Sequence, residues 1–208
     1  MTPRQVHSPI SLRARALACG RGDTLLIEGL DLDVEPGAGL LLRGPNGAGK
    51  STLLLSLAGL LPPLGGEVSL FGHDPEDGPA LHYCGHRNAV RPRLGVRQTL
   101  AFWRDINGPT GLSVDAALER VGLLPIAGLD AGYLSAGQQR RLALARLLVS
   151  RRPLWLLDEP TAALDTDGHR LVASLLAQHL EQGGLAVIAT HDEIELPALR
   201  TLALAARA

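Results

Sequence analysis

Lysine and aromatic residues are nearly missing from this chain of 208 residues: six side chains are aromatic, two are cysteine, and one of the twenty basic residues is lysine. Two cysteines, Cys19 and Cys84, give no disulfide framework, so a reducing cytosol is the expected compartment. Basic and acidic residues number 20 and 21. That balance removes the positive field general nucleic-acid binding needs and leaves no acidic tail for a basic partner. Apolar runs such as Gly39 to Leu42 and Leu142 to Val149 are short or interrupted by arginine, well under the roughly 20 residues of a membrane-spanning helix. Any membrane role is therefore expected through a partner. The stretch Met1 to Pro9 holds Arg4 and two prolines but no apolar segment of the signal-peptide kind. The remaining composition, 46% hydrophobic and 20% charged, suits one well-packed domain over residues 1–208.

The single lysine is Lys50. A bias toward arginine accounts for the other basic positions. A site that needs a compact ammonium on a flexible stem cannot accept the broad guanidinium fork, and that is a reason for one lysine to persist.

The order of elements gives its setting. Ser11 to Leu17 and Leu30 to Val34 alternate apolar and polar residues as an opening antiparallel pair. Pro36-Gly37 turns the chain into Gly39 to Leu42, a short apolar run of the buried parallel kind, and a leucine-rich helix follows over Gly49 to Leu60. Glu67 to Phe71 and Leu81 to Cys84 read as strands, and Gly95 to Val121 as helical, with Ser113 as an N-cap. Ser135 caps a helix through Ser150, Leu154 to Leu157 is a buried strand, Thr166 to Gln182 a helix, and Leu185 to Thr190 another buried strand. Strands alternating with helices predict an α/β fold with a mostly parallel sheet.

Lys50 lies in Gly44-Pro45-Asn46-Gly47-Ala48-Gly49-Lys50-Ser51-Thr52, a phosphate-binding P-loop pattern between an expected strand and an expected helix. Glycine allows backbone amides to turn toward phosphate, the helix N-terminus adds positive potential, Lys50 reaches the outer phosphates and Ser51 offers a ligand to Mg²⁺. Such a loop needs an acid on a neighbouring strand. Leu154-Trp155-Leu156-Leu157-Asp158-Glu159 supplies one, with Asp158 reaching the metal through water and Glu159 polarising the attacking water. By itself, that segment would equally suit a strand running into a solvated acidic loop.

Between these motifs stands Leu134-Ser135-Ala136-Gly137-Gln138-Gln139-Arg140-Arg141. Here the chain resembles the ATP-binding cassette family, whose signature reads Leu-Ser-Gly-Gly-Gln. Ala136 takes the place of the first glycine and adds one methyl group. The resemblance implies a P-loop cassette fold with a mostly parallel core sheet, an N-terminal antiparallel β subdomain and a small helical subdomain of about residues 87–133 with the signature helix. It also implies a homodimer in which Ser135, Gly137 and Gln138 address ATP held by the second subunit. Ala163-Leu164-Asp165 resembles the D-loop, which makes Asp165 a nucleotide-side residue, and Thr190-His191-Asp192 resembles the segment of the switch histidine. Glu159 and His191 are then the catalytic pair, and ATP with Mg²⁺ the bound species.

Two departures from the family pattern stand out. The first aromatic residue of the chain is Phe71, so no aromatic precedes the P-loop to stack on adenine. Alignment through Gly29-Leu30 puts Arg21 there, and a guanidinium plane can stack on a base. In Tyr83-Cys84-Gly85-His86-Arg87-Asn88, His86 stands where the family has the Q-loop glutamine. Imidazole is a poor Mg²⁺ ligand, so His86 is expected to act through water or as a hydrogen-bond relay. His82, Cys84 and His86 alternate as a strand entering that segment does, and read as strand instead of as haem or metal ligands.

The His86 segment, Arg93-Leu94-Gly95-Val96 and the signature run resemble the cassette subunits of the haem exporters of cytochrome c maturation, which are similarly short. That resemblance implies an ATPase docked on an integral membrane permease at the cytoplasmic face of the bacterial inner membrane, through a region of about Arg87 to Tyr133 that includes Phe102 and Trp103. Those aromatics would equally suit the core of a small helical subdomain. An importer or drug-exporter ATPase with an unusual Q-loop is the alternative, and a soluble P-loop phosphotransferase would leave the signature and His191 without purpose. If His86 only relays, His86→Gln keeps steady-state ATP turnover; a large loss would assign the imidazole a direct role.

Overall fold

The computed structural model describes residues 9–22 and 24–205. Most of the Met1 to Pro9 stretch and the last three residues therefore lie outside the described residues. The chain forms two compact units, one from Met1–Gly85, Pro153–Glu159 and Ala173–Ala208, the other from His86–Arg152 and Pro160–Val172.

The first unit holds two sheets. Strands β1 (Ser11–Arg21), β2 (Thr24–Val34) and β4 (Gly65–Phe71) form an antiparallel sheet in the order β2-β1-β4. Strands β3 (Gly39–Arg43), β5 (Leu81–Cys84), β6 (Leu154–Asp158), β7 (Leu185–Ala189) and β8 (Leu199–Ala203) form a sheet in the order β5-β6-β7-β3-β8, with every described pair parallel. β6 and β7 are buried at all five positions, which is why both read as unbroken apolar runs and not as alternating ones. Leu12, Leu17, Leu42, Leu53, Leu54, Leu156 and Val187 belong to the core of this unit.

The opening strands are longer than their sequence pattern predicts, because β1 carries irregularities. Its register shifts between Ala14 and Leu17 against β2. Ala16 has φ 46° and its amide donates to Asp31 Oδ1 at 2.7 Å, which satisfies a donor that the ladder has lost. Opposite, Gly66 has φ +74°, and a Cβ there would lie 2.4 Å from the carbonyl oxygens of Arg15 and Ala16. Only glycine fits this crossing.

Strand β8 was not legible in the sequence. It is a half-exposed edge strand with no regular alternation, and its identity comes from backbone pairing to β3 through Leu40↔Arg200 and Leu42↔Leu202. The helix after the P-loop, α1, spans Lys50–Leu57, shorter than expected. Gly59 at φ 69° and amides of Leu60 and Leu61 turning back to Leu55 O close its end.

The second unit is helical: α2 (Val96–Asn107), α3 (Val114–Arg120) and α4 (Ala136–Val149) pack around Val96, Leu100, Leu118, Val121, Leu142 and Val149. The expected helical stretch from Gly95 to Val121 is broken at Gly108, φ 85°, and restarts at Ser113, whose Oγ accepts from Ala116 N at 3.2 Å. The two α2 aromatics behave differently. Phe102 is 38% exposed, whereas Trp103 is covered by the Arg146 guanidinium, 3.7 Å from the ring centroid. Helix α5 (Thr166–Glu181) precedes β7.

Near the end of α5, the buried His179 ring stacks on buried Trp155 of β6, with centroids 3.9 Å apart and planes 8° from parallel. His179 Nε2 lies 3.0 Å from Leu185 O as a donor. A Cβ on Gly184 would stand 2.3 Å from His179 Cε1. Gly184→Ala should therefore lose about 1–3 kcal/mol through displacement of the ring, read from urea unfolding. An unchanged midpoint would show that the stack yields freely.

Candidate functional site

Register decides what meets at the carboxyl end of the parallel sheet. Ala189, last in β7, pairs with Leu42 of β3 on one side and with Asp158 of β6 on the other. The loop leaving β3, the acid ending β6 and the turn leaving β7 therefore emerge side by side, where open α/β sheets hold ligands.

The loop 44–49 depends on glycine in different ways. Gly44, Gly47 and Gly49 have φ of 149°, 84° and 92°. A Cβ on Gly44 would sit 2.3 Å from Leu204 O, and one on Gly49 would press at 3.2 Å on Leu26 and Ile27, while one on Gly47 would meet nothing within 4 Å. The first two positions are thus fixed by space as well as by backbone, and Gly47 by backbone alone. Pro45 O accepts from Ala48 N at 3.2 Å, which closes the turn. Lys50, only 8% exposed, folds back so that Nζ donates to Gly44 O at 2.7 Å and Pro45 O at 3.1 Å. The loop thus gathers an ammonium and the unpaired first-turn amides of α1, with Ser51 and Thr52 in that same turn. Such a cradle, an ammonium and helix-terminal amides gathered on one glycine-rich turn, fits a phosphate chain.

Asp158 is 5% exposed at the end of β6. Glu159 follows with φ 49°, a left-handed conformation that is uncommon outside glycine and costs on the order of 1–3 kcal/mol. Its amide is held by Ala189 O at 2.7 Å. Its carboxylate is held too: Oε2 accepts from His191 N at 3.3 Å, and Oε1 lies 3.6 Å from His191 Nε2. The same imidazole nitrogen donates to Asn46 Oδ1 at 3.0 Å. The structure thus joins Asn46, Glu159 and His191 into one hydrogen-bonded group, so Asn46 contributes a side chain and not only loop backbone. A fixed carboxylate next to a phosphate cradle can orient and polarise water.

Arg43 belongs to none of the sequence motifs. It closes β3, and its guanidinium donates to Thr190 O at 2.9 Å and Asp192 O at 2.6 Å, on both sides of His191. The only available signal was a charge ending an otherwise apolar strand directly before Gly44.

Arg21 ends β1, exposed, opposite Thr24 in the hairpin register. Further along that hairpin, Leu26 and Ile27 stand against Gly49. His82 and Cys84 are buried positions of β5, and among the described residues no cluster of three or more His, Cys, Asp or Glu could hold a metal.

The second unit brings together Ser135, Gly137, Gln138 and Asp165. They line a cleft of about 550 Å³ with Arg141 and Leu164. Ser135 Oγ accepts from Gln138 N at 3.2 Å and Gln138 Oε1 accepts from Ser135 N at 2.9 Å, a capping box that gives Gln138 a structural task unseen in the sequence. A Cβ on Gly137 would stand 2.8 Å from Ala163 O, whereas the methyl group of Ala136 is exposed. The substitution in the signature thus falls at the tolerant position. Asp165 Oδ1 accepts from Gly168 N at 2.8 Å and from Arg141 Nη2 at 3.1 Å; the Gly168 amide first, and Arg141 with it, hold the carboxyl below its usual range. His86 is exposed, and two residues on Asn88 Oδ1 accepts from buried Arg140 at 3.0 Å.

A P-loop at the end of a buried parallel strand, an acid at the end of another, a histidine turn between them and a capped signature helix define an ATP-binding cassette. Residues 27–162 match the family model described as ABC transporter. The chain is 47% identical over 203 residues to the cytochrome c biogenesis ATP-binding export protein CcmA of Rhizobium meliloti, covering 92% of the chain and 96% of that protein. It is 47% identical over 194 residues to that of Paracoccus denitrificans, covering 93% and 88%. Among solved structures, an ABC transporter ATP-binding protein from Pyrococcus furiosus superposes with TM-score 0.80 at 27% identity, covering 92% of this chain and 97% of that one. A dimeric ATP-binding cassette in a post-hydrolysis state with ADP and Pi shares the fold, with TM-score 0.73 at 24% identity over 87% and 88%. The chain belongs to the ABC transporter family and, within it, to the CcmA group of ATP-binding subunits. It is an ATPase subunit that binds ATP, and among the described residues no helix is long and apolar enough to cross a membrane.

Lys50→Ala removes the charge at the cradle and should weaken ATP binding about 10- to 100-fold, the range expected for lost hydrogen bonds to a charged group. Isothermal titration with ATP reads this directly, and unchanged affinity would overturn the loop assignment.

Proposed function

We propose that this chain is the ATP-hydrolysing subunit of a haem-exporter-type complex of cytochrome c maturation, acting as a homodimer on an integral membrane permease at the cytoplasmic face of the bacterial inner membrane. For the chemistry, the carrying observation is the Asn46–His191–Glu159 group beside the phosphate cradle. Support for the biological role comes from similarity to proteins named for cytochrome c biogenesis export over nine-tenths of the chain.

In this reading Gly44 to Thr52 wrap the phosphates, with Lys50 released from the Gly44 and Pro45 carbonyls to meet them. Ser51 and Asp158 hold Mg²⁺, which supplies neutralisation of phosphate charge. Glu159 accepts a proton from the attacking water, and His191 keeps that carboxylate in place while facing the outer phosphate. Ser135, Gly137 and Gln138 address the nucleotide of the second subunit, with Asp165 at the border between subunits. Arg21 lies against adenine, and His86 relays through water. The region around Phe102 meets the permease, and its partial exposure suits a contact surface.

Deletion of the gene in its native host, complemented with wild type or Glu159→Gln, tests both halves of the proposal. Covalent haem on c-type cytochromes should vanish on deletion and return only with wild type, and the purified Glu159→Gln protein should bind ATP normally while turnover falls by about 100-fold or more. Undisturbed cytochromes would leave an ABC ATPase of another transporter. Undiminished turnover would remove Glu159 as the base.

A further inference from the structure

The turn Thr190-His191-Asp192 leaves buried β7 with His191 exposed, Thr190 fully buried and Asp192 half-buried, and it is well fixed. Thr190 Oγ1 accepts from Asp192 N at 3.1 Å, and the His191 amide donates to Glu159. The His191 amide shares a peptide plane with the Thr190 carbonyl, so its bond to Glu159 already bears on the direction of that carbonyl. Arg43 engages this carbonyl and that of Asp192 together, through Nη1 to Thr190 O at 2.9 Å and Nη2 to Asp192 O at 2.6 Å. Rigid spacing of the two guanidinium nitrogens sets the separation of the carbonyls, and with it the direction in which the imidazole leaves the turn. A lysine ammonium, being a point donor on a mobile stem, has no such fork. Arg43 is also bonded to Gly44, whose carbonyl accepts from Lys50 Nζ. One residue therefore links the root of the phosphate loop to the histidine turn.

We propose that Arg43 is a positioning residue for His191: its guanidinium, bridging the carbonyls of Thr190 and Asp192, aims the imidazole at Asn46 and Glu159 and ties that aim to the phosphate loop. The inference rests on the assignment of His191 to the hydrolytic group. In this proposal Arg43 acts through the turn, by its bonds to the carbonyls of Thr190 and Asp192, and not on the substrate. Loss of the fork should therefore slow turnover and leave ATP affinity intact.

The test compares Arg43→Met, which keeps the aliphatic stem, Arg43→Lys, which keeps the charge, and His191→Ala, each in the full chain. Turnover and ATP affinity are measured separately, and both Arg43 variants are repeated in the His191→Ala background. Arg43→Met should lower kcat about tenfold with ATP affinity within about twofold, Arg43→Lys should recover only part of the loss, and neither should add to the deficit of His191→Ala. Wild-type kcat in Arg43→Met, an equal fold-loss with and without His191, or a parallel fall in ATP affinity would overturn the proposal. Should Arg43→Met fail to fold, the same criteria apply to Arg43→Lys. A His191→Ala protein that turns over at the wild-type rate would instead remove the assignment of His191, and the inference with it. An impaired His191→Ala beside an unimpaired Arg43→Met would remove the inference alone.

Discussion

The register of β7 between β3 and β6 is the constraint on which the nucleotide site depends. Ala189 is paired on both sides, with Leu42 and with Asp158, so a one-residue slip of β7 would exchange its two buried faces, misfit its side chains against the packing on each, and carry His191 away from Glu159. Burial enforces the register: Leu185, Ala186, Val187, Ile188 and Ala189 are all at 0% exposure. The same apolar packing that stabilises the sheet thus sets the distance between phosphate loop, acid and histidine. The hydrogen bonds of Glu159 and His191 refine a placement already made by the core.

Backbone strain is concentrated at that end of the sheet. Glu159 at φ 49° holds a conformation that the chain would leave if free, and the Ala189 carbonyl together with the His191 amide keep it there. Gly44 and Gly49 relieve a different problem: a side chain at Gly44 would collide with Leu204 O, and one at Gly49 would press on Leu26 and Ile27. The nucleotide loop is therefore shaped from outside by β2 and by the residues after β8, and not only by its own turn preferences.

Arginine does in this chain much of what lysine does elsewhere, and it does so by bridging. Arg43 spans two carbonyls around His191, buried Arg140 donates to Pro160 O at 3.2 Å and to Asn88, and Arg141 joins Asp165. Each uses the planar fork to tie segments distant in sequence, a task for which a single ammonium is poorly shaped. Lys50 is the position where a point donor serves, its single nitrogen reaching the Gly44 and Pro45 carbonyls inside the phosphate loop.

The sequence by itself determined the elements whose signal is local: the apolar runs of β3, β6 and β7, the caps at Ser113 and Ser135, the glycines of the phosphate loop, and the acid pair at the end of β6. These are legible because burial, capping and positive φ each restrict residue type at fixed spacing. Tertiary structure alone decided β8, whose half-exposed residues carry no period and become a strand only by pairing with β3. It also decided the break at Gly108, the stacking of His179 on Trp155, and the contacts of Arg43, Asn46 and Gln138. The sequence could not show that Arg43 and His191 are partners, because 147 residues separate Arg43 from Thr190 and only the parallel sheet brings the two strand ends together.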